Sequence, residues 1–63
     1  MYTSEALKNL VNASMHHNWR FKKYARKLLD EVLKNSVYNK QLEGVLFQLP
    51  KKEKGFLQAK LSE

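Results

Sequence analysis

The chain has 63 residues and no cysteine, and its 12 basic and 6 acidic residues give a formal net charge of +6 at neutral pH. A chain of this length is near the lower size limit for folding alone, so residues 1–63 are expected to form a single small domain, with a homodimer as one way of stabilising it. The composition excludes disulfides and thiolate metal sites, no apolar run could span a membrane, and the start lacks the features of a signal peptide, so we expect a soluble, cytoplasmic protein.

A first helix is predicted over residues 4–15. Leu7 and Val11 lie one helical turn apart and mark the face that would be buried. Thr3 or Ser4 can cap the free amides of the first turn, since both carry a side-chain oxygen that accepts hydrogen bonds.

The polar stretch His16-His17-Asn18 follows this helix. It contains neither glycine nor proline, and the apolar stripe before it stays in phase with the stripe after it. One continuous helix over residues 4–34 is therefore an alternative. We predict a break, because helices longer than about 25 residues need a special reason.

The stretch over residues 19–34, WRFKKYARKLLDEVLK, is the centre of the chain and is predicted to be an amphipathic helix. Its side chains sort into two sides when they advance by about 100° per residue, and Asn18 is a plausible N-cap. The apolar arc comprises Phe21, Tyr24, Ala25, Leu28, Leu29 and Val32, and the opposite side comprises Arg20, Lys22, Lys23, Arg26, Lys27 and Lys34.

The order of charge along this helix is unusual. Arg20, Lys22 and Lys23 crowd its start, where positive charge opposes the helix dipole by about 0.3–1 kcal/mol per charge, while Asp30 and Glu31 lie towards its end. The spacing predicts ion pairs of Asp30 with Arg26 and Lys34, and of Glu31 with Lys27. The first half keeps unpaired positive charge, which indicates either a binding surface or a face that only keeps the protein in solution.

Two further helices are predicted, over residues 37–49 and 51–61. Gly44 inside the first of them either admits a neighbouring helix or weakens this one by about 1 kcal/mol. Pro50 ends one helix or begins the next. A β-hairpin over residues 44–61 is the alternative for this part of the chain.

Together these elements predict an all-α fold, a small bundle of three to four short helices (residues 4–15, 19–34, 37–49 and 51–61). Its core would be formed by the apolar residues that recur at helical spacing in the first three helices. These residues are Leu7, Leu10, Val11, Phe21, Leu28, Val32, Leu42, Val45, Leu46 and Leu49.

The functional hypothesis follows from the basic and aromatic residues of the central helix. Lysine and arginine neutralise phosphates. Trp19, which lies among the basic residues, can stack on a nucleobase or anchor a protein interface; alternatively, it closes the start of its helix against the first helix. We therefore expect a small nucleic-acid-binding accessory or regulatory protein that binds DNA or RNA; the alternative is a modulator or inhibitor that docks on an acidic surface of a partner protein. The candidate site residues are Trp19, Arg20, Lys22, Lys23, Arg26 and Lys27, with Lys51, Lys52 and Lys54 as a second contact.

No residue pattern indicates catalysis, a cofactor or a metal. His16 and His17 are adjacent and point to different helix faces, and no third ligand lies at a useful spacing. Asp30 and Glu31 also diverge around their helix, so they do not form a pair of catalytic carboxylates. With only two glycines, the chain has no phosphate-binding loop. We expect a protein that is not an enzyme and does not insert into membranes.

Overall fold

The computed structural model describes residues 2–62, and the chain is helical through most of this range. The helices are α1 (Ser4–Ser14), α2 (Trp19–Leu33), α3 (Ser36–Val45) and α4 (Lys51–Leu61), with a 3₁₀ turn at Leu46–Gln48. The predicted all-α bundle is confirmed. The chain breaks between α1 and α2, and residues 2–62 contain no strand, so helices replace the alternative hairpin.

Three of the helices begin at side-chain caps. The backbone N–H of Ala6 donates to Thr3 Oγ1 (3.1 Å) at the start of α1. Asn18 Oδ1 accepts from the backbone N–H of Arg20 at 3.0 Å, at the start of α2. Asn35 caps α3, where its Oδ1 accepts from the backbone N–H of Val37 at 3.0 Å. Because each cap satisfies amides that have no partner inside the helix, the positions of these starts are locally determined.

The buried core draws on all four helices. The contact between α1 and α2 is the most extensive, and Ser14 at the end of α1 is fully buried, with its hydroxyl donating to the carbonyl of Leu10 at 2.8 Å. Leu10 and Leu46, predicted in the core, are half-buried at its edge. The buried apolar residues are Leu7, Val11, Ala25, Leu29, Val32, Leu42, Val45, Leu49 and Leu57.

The predicted core is wrong at two positions of α2. Phe21 and Leu28 are 55% and 44% exposed, whereas Leu29 is fully buried. The buried side of α2 runs through Ala25, Leu29 and Val32, which cover only one part of the predicted apolar arc. A chain this short has too little surface to cover the whole arc, so the neighbouring helices cover one side and leave the other in solvent.

Helices α2 and α4 run in the same direction. Lys52, at the start of α4, lies beside His16 and His17 just before α2. Further along, the ring of Phe56 lies 5.1 Å from the guanidinium carbon of Arg26. The amino ends of both helices therefore lie at the end of the molecule that holds the α1–α2 turn. Within residues 2–62, no helix has both the length and the apolar character needed to cross a bilayer.

Leu28 and Leu29 provide a matched test of how α2 is oriented. Leu29→Ala should lower the free energy of unfolding by about 2–5 kcal/mol, because it leaves a cavity in the core. Leu28→Ala should cost about 1 kcal/mol or less, because much of that side chain is already in water. Urea unfolding followed by circular dichroism measures both. Equal losses would show that α2 buries a different side.

Gly44 and Gly55 lie within exposed parts of α3 and α4, and a Cβ added at either would meet nothing within 4 Å. Gly44 therefore does not admit a neighbouring helix. Because alanine restricts the unfolded chain, Gly55→Ala should raise the free energy of unfolding by about 1 kcal/mol. Gly44→Ala, near a helix end, should give a smaller gain. The same unfolding experiment checks both, and a loss of stability at Gly55 would contradict the open surroundings described here.

Candidate functional site

The side of α2 that faces away from the core carries bases and two aromatic rings. Five side chains line one shallow depression of about 470 Å³ on this side. They come together because residues three and four apart are neighbours on a helix surface. We call this surface the outer face of α2, and it consists of Trp19, Arg20, Lys23, Tyr24 and Lys27.

The two rings of the outer face are strongly exposed. Trp19 is 62% exposed, so it does not close the start of α2 against α1, and the guanidinium carbon of Arg20 lies 5.9 Å from its ring centroid. Tyr24 is 78% exposed, although the periodicity had placed it in the apolar arc. Being five positions apart, the rings lie about 140° from each other around the helix. They therefore border the basic residues on both sides.

The two acids of α2 pair with lysines outside the outer face, although Asp30 also lines a second depression with Trp19, Lys23 and Lys27. Asp30 Oδ1 lies 3.4 Å from Lys60 Nζ of α4, and Glu31 Oε1 lies 3.4 Å from Lys34 Nζ. These pairs replace those predicted from spacing along α2, because α4 brings a lysine beside Asp30 and because the shorter step from Glu31 to Lys34 closes instead.

The basic residues of the outer face are therefore not neutralised by direct ion pairs. Within residues 2–62, no carboxylate lies within ion-pair distance of Arg20, Lys23 or Lys27. The first turn of α2 contains no acidic residue either. The face is thus a concentrated patch of positive charge that is open to solvent.

Arg26 has a structural role. Its Nε donates to the backbone carbonyl of Ser14 at 2.9 Å, which satisfies an acceptor at the end of α1 that would otherwise lack a helical partner. Its guanidinium also stacks over Phe56 of α4. Arg26 thereby connects three helices, and we do not include it in the outer face of α2.

The other predicted site residues lie at the margins of this face. Lys22 is half-buried and lines a second shallow depression, which it shares with Trp19, Lys23, Arg26, Lys27 and Asp30. Lys51 is exposed at the start of α4. Lys52 lies beside the histidines of the α1–α2 turn, and Lys54 lies over the ring of Phe47 at 5.1 Å. Of the second group of lysines, Lys52 therefore lies near the amino end of α2, and none of the three lines the depression.

The histidines order the turn before α2. Their rings stack at 4.3 Å, His16 Nδ1 accepts from the backbone N–H of Asn18 at 3.0 Å, and His16 meets the edge of Phe21 at 5.0 Å. Among the described residues there is no group of three or more possible metal ligands. These contacts help to fix the direction in which Trp19 leaves the turn.

Sequence reasoning missed an exposed row at the edge of the outer face. It is formed by Tyr24, which belongs to that face, and by its neighbours Phe21 and Leu28. We call it the apolar row. Its members lie on neighbouring turns of one side of α2, and all are exposed. The sequence did contain a signal for this exposed row, because the predicted apolar arc is wider than the other helices of one small chain can cover. Tyr24 stands at the edge of that arc that adjoins the basic side, so it was the residue most readily left in solvent.

The role of Arg26 can be tested against its neighbour Lys27. Arg26→Ala should lower the free energy of unfolding by about 1–2 kcal/mol, because it leaves the Ser14 carbonyl unpaired and removes the contact with Phe56. Lys27→Ala should change it by less than about 0.5 kcal/mol, as for most surface substitutions. Denaturant titration of both variants provides the measurement, and an unchanged stability for Arg26→Ala would refute the structural role.

Comparisons of the chain with models of protein families, with curated proteins and with solved structures found no match. A functional proposal therefore depends on the chemistry of the surface itself, and above all on the outer face of α2.

Proposed function

We propose that this protein is a small, non-enzymatic nucleic-acid-binding accessory or regulatory protein, and that the outer face of α2 is its binding surface. One observation carries the proposal. The bases of this face have no carboxylate partner within residues 2–62, and they lie between the exposed rings of Trp19 and Tyr24. Nucleic acids require a surface on which cations contact the phosphates and aromatic rings stack on the nucleobases.

The spacing of the basic residues on the outer face suits contact with consecutive phosphates of a nucleic-acid strand. Arg20, Lys23 and Lys27 lie on successive turns and span about 10 Å along the helix axis. Phosphates of one strand in a duplex follow at about 3.4 Å along its axis, so three cations can serve several consecutive phosphates. Lys52, beside the α1–α2 turn, adds one more positive charge near the amino end of α2.

The position of the charge supports a binding role. Positive residues at the start of a helix oppose its dipole and reduce helix stability, yet Arg20, Lys22 and Lys23 occupy the first turns of α2 without an acid among them. In a face that only maintains solubility, the same cations would be better placed at the carboxyl end. A polyanion bound to these turns supplies the missing negative charge.

The apolar row favours a second candidate, a protein-binding modulator that docks on an acidic surface of a partner. Phe21, Tyr24 and Leu28 beside a cationic patch could receive an amphipathic acidic segment. Such an interface concentrates its binding energy in one or two residues. Nucleic-acid binding instead distributes it over the lysines and weakens steeply with salt.

The homodimer expected from the length of the chain stays a prediction.

Two double variants test the proposal, Lys23→Ala/Lys27→Ala on the outer face and Lys8→Ala/Lys40→Ala elsewhere. Both remove two positive charges, so they separate the patch from the net charge. The outer-face variant should bind a labelled oligonucleotide more weakly than the parent. Each phosphate contact that it fails to form leaves that phosphate's counterions in place, so the slope of log K against log salt should become shallower by about 1.4–1.8. The control should keep nearly the parent slope. Fluorescence anisotropy between 25 and about 200 mM salt, a range over which such contacts are sensitive, gives the slopes.

Two outcomes would contradict the proposal. Equal losses in both variants would show that net charge alone attracts the oligonucleotide. A parent protein with no measurable affinity even at low salt would exclude nucleic acid as the partner. In the second case, capture of an acidic protein that survives nuclease and is lost with Phe21→Ala would favour the modulator.

A further inference from the structure

We propose that the outer face of α2 binds an unpaired strand of nucleic acid, with bases stacked on Trp19 and Tyr24 and phosphates held between them. This inference rests on the proposed function and specifies its ligand. It concerns the chemistry that single-stranded DNA and RNA share, namely exposed base faces joined by a flexible phosphate chain.

The width of the outer face argues against a duplex groove. An α-helix with ordinary side chains is about 10–12 Å across, and it already fills a major groove that is about 12 Å wide. On α2 the exposed rings of Trp19 and Tyr24 project from the two flanks of the basic row, about 140° apart. The two rings would meet the groove walls before the basic side chains between them reached the edges of the nucleobases. The minor groove of B-form DNA, about 6 Å wide, is narrower still.

The two rings would also have no exposed nucleobase to stack on if the protein contacted a duplex from outside its grooves. Base faces in a duplex are covered by their neighbours, and only the phosphates are within reach. An unpaired strand can turn its bases outward onto aromatic side chains. Trp19 and Tyr24 are separated by about 7.5 Å along the helix axis and lie on opposite flanks of the basic row, so a strand whose bases are splayed apart, rather than stacked on one another, would reach both rings. Lys23 and Lys27 lie between the rings, where the linking phosphates would pass.

The surroundings of each ring favour stacking. The guanidinium of Arg20 lies beside Trp19, so a base placed on the ring also approaches a planar cation. Tyr24 borders Phe21 and Leu28 of the apolar row, which give a base on that side an apolar wall. The five residues of the outer face include no asparagine, glutamine or acid to read base edges. Stacking on a ring accepts any nucleobase, so we expect little sequence preference beyond what Arg20 can read on a guanine.

Phe47 provides the matched control. It is a strongly exposed aromatic residue with a lysine over its ring, but it lies in the 3₁₀ turn, outside the outer face of α2. Its removal takes away an aromatic ring and leaves the proposed site intact.

The experiment uses Trp19 as its own probe, because it is the single tryptophan of the chain. Oligo(dT), oligo(U) and a mixed-sequence DNA duplex, each twelve nucleotides or base pairs in length, are titrated into the parent protein while its fluorescence is recorded. Both single strands should quench the emission and bind at least tenfold more tightly than the duplex. The relative affinities of the DNA and RNA strands identify the preferred chemistry.

The variants are measured by anisotropy of the labelled strands, since Trp19→Ala has no fluorescence of its own. Trp19→Ala and Tyr24→Ala should each weaken single-strand binding by about 5- to 150-fold, the loss expected for one stacked base. Tyr24→Phe, which keeps the ring, should restore most of the affinity. Phe47→Ala should bind as the parent does. Circular dichroism of each variant confirms that the helices are retained.

The outcomes separate this inference from the proposed function. A duplex that binds as tightly as the single strands, or Trp19 emission that does not change on binding, would overturn the stacking model and leave nucleic-acid binding in place. The absence of binding to all three ligands at low salt would refute both. Loss of affinity in Phe47→Ala equal to that in Trp19→Ala would show that the rings act without a defined site.

Discussion

The packing of one side of α2 against α1 determines both the interior and the exterior of this protein. Ala25, Leu29 and Val32 occupy the core, and the hydrogen bond from Arg26 to the carbonyl of Ser14 connects the same pair of helices. A helix has one rotational setting about its own axis, so the choice of buried side also decides which side chains reach solvent. The outer face of α2 is the direct consequence of this contact.

Local features of the sequence were sufficient to predict the helices but not their rotation. Thr3, Asn18 and Asn35 cap α1, α2 and α3 by bonds to amides two or three residues away, and such bonds need no tertiary contact. The setting of α2 depends instead on how much apolar surface the other helices can cover. Periodicity showed the full arc but not the part of it that a 63-residue chain would bury, so Phe21 and Leu28 were misplaced.

The candidate site was predictable to the extent that it depends on charge along one helix. Arg20, Lys23 and Lys27 lie opposite the core in the pattern and in the structure. Long-range contacts account for what was missed. Asp30 pairs with a lysine 30 residues away, and Arg26 reaches a carbonyl of α1. Neither contact is visible in i,i+4 spacing, because each depends on the placement of a second helix.

Clustering of the cations matters more for a partner than the net charge of the chain. The molecule measures 28 × 23 × 23 Å, whereas charges in physiological salt are screened over about 8 Å. A phosphate at the outer face therefore interacts chiefly with Arg20, Lys23 and Lys27, and hardly at all with lysines on the opposite side. Arg20 and Lys23 also repel each other near the start of α2, where the helix dipole is unfavourable for positive charge. A polyanion bound there, as proposed, would relieve both effects at once, so its binding free energy would be linked to the stability of the first turns of α2.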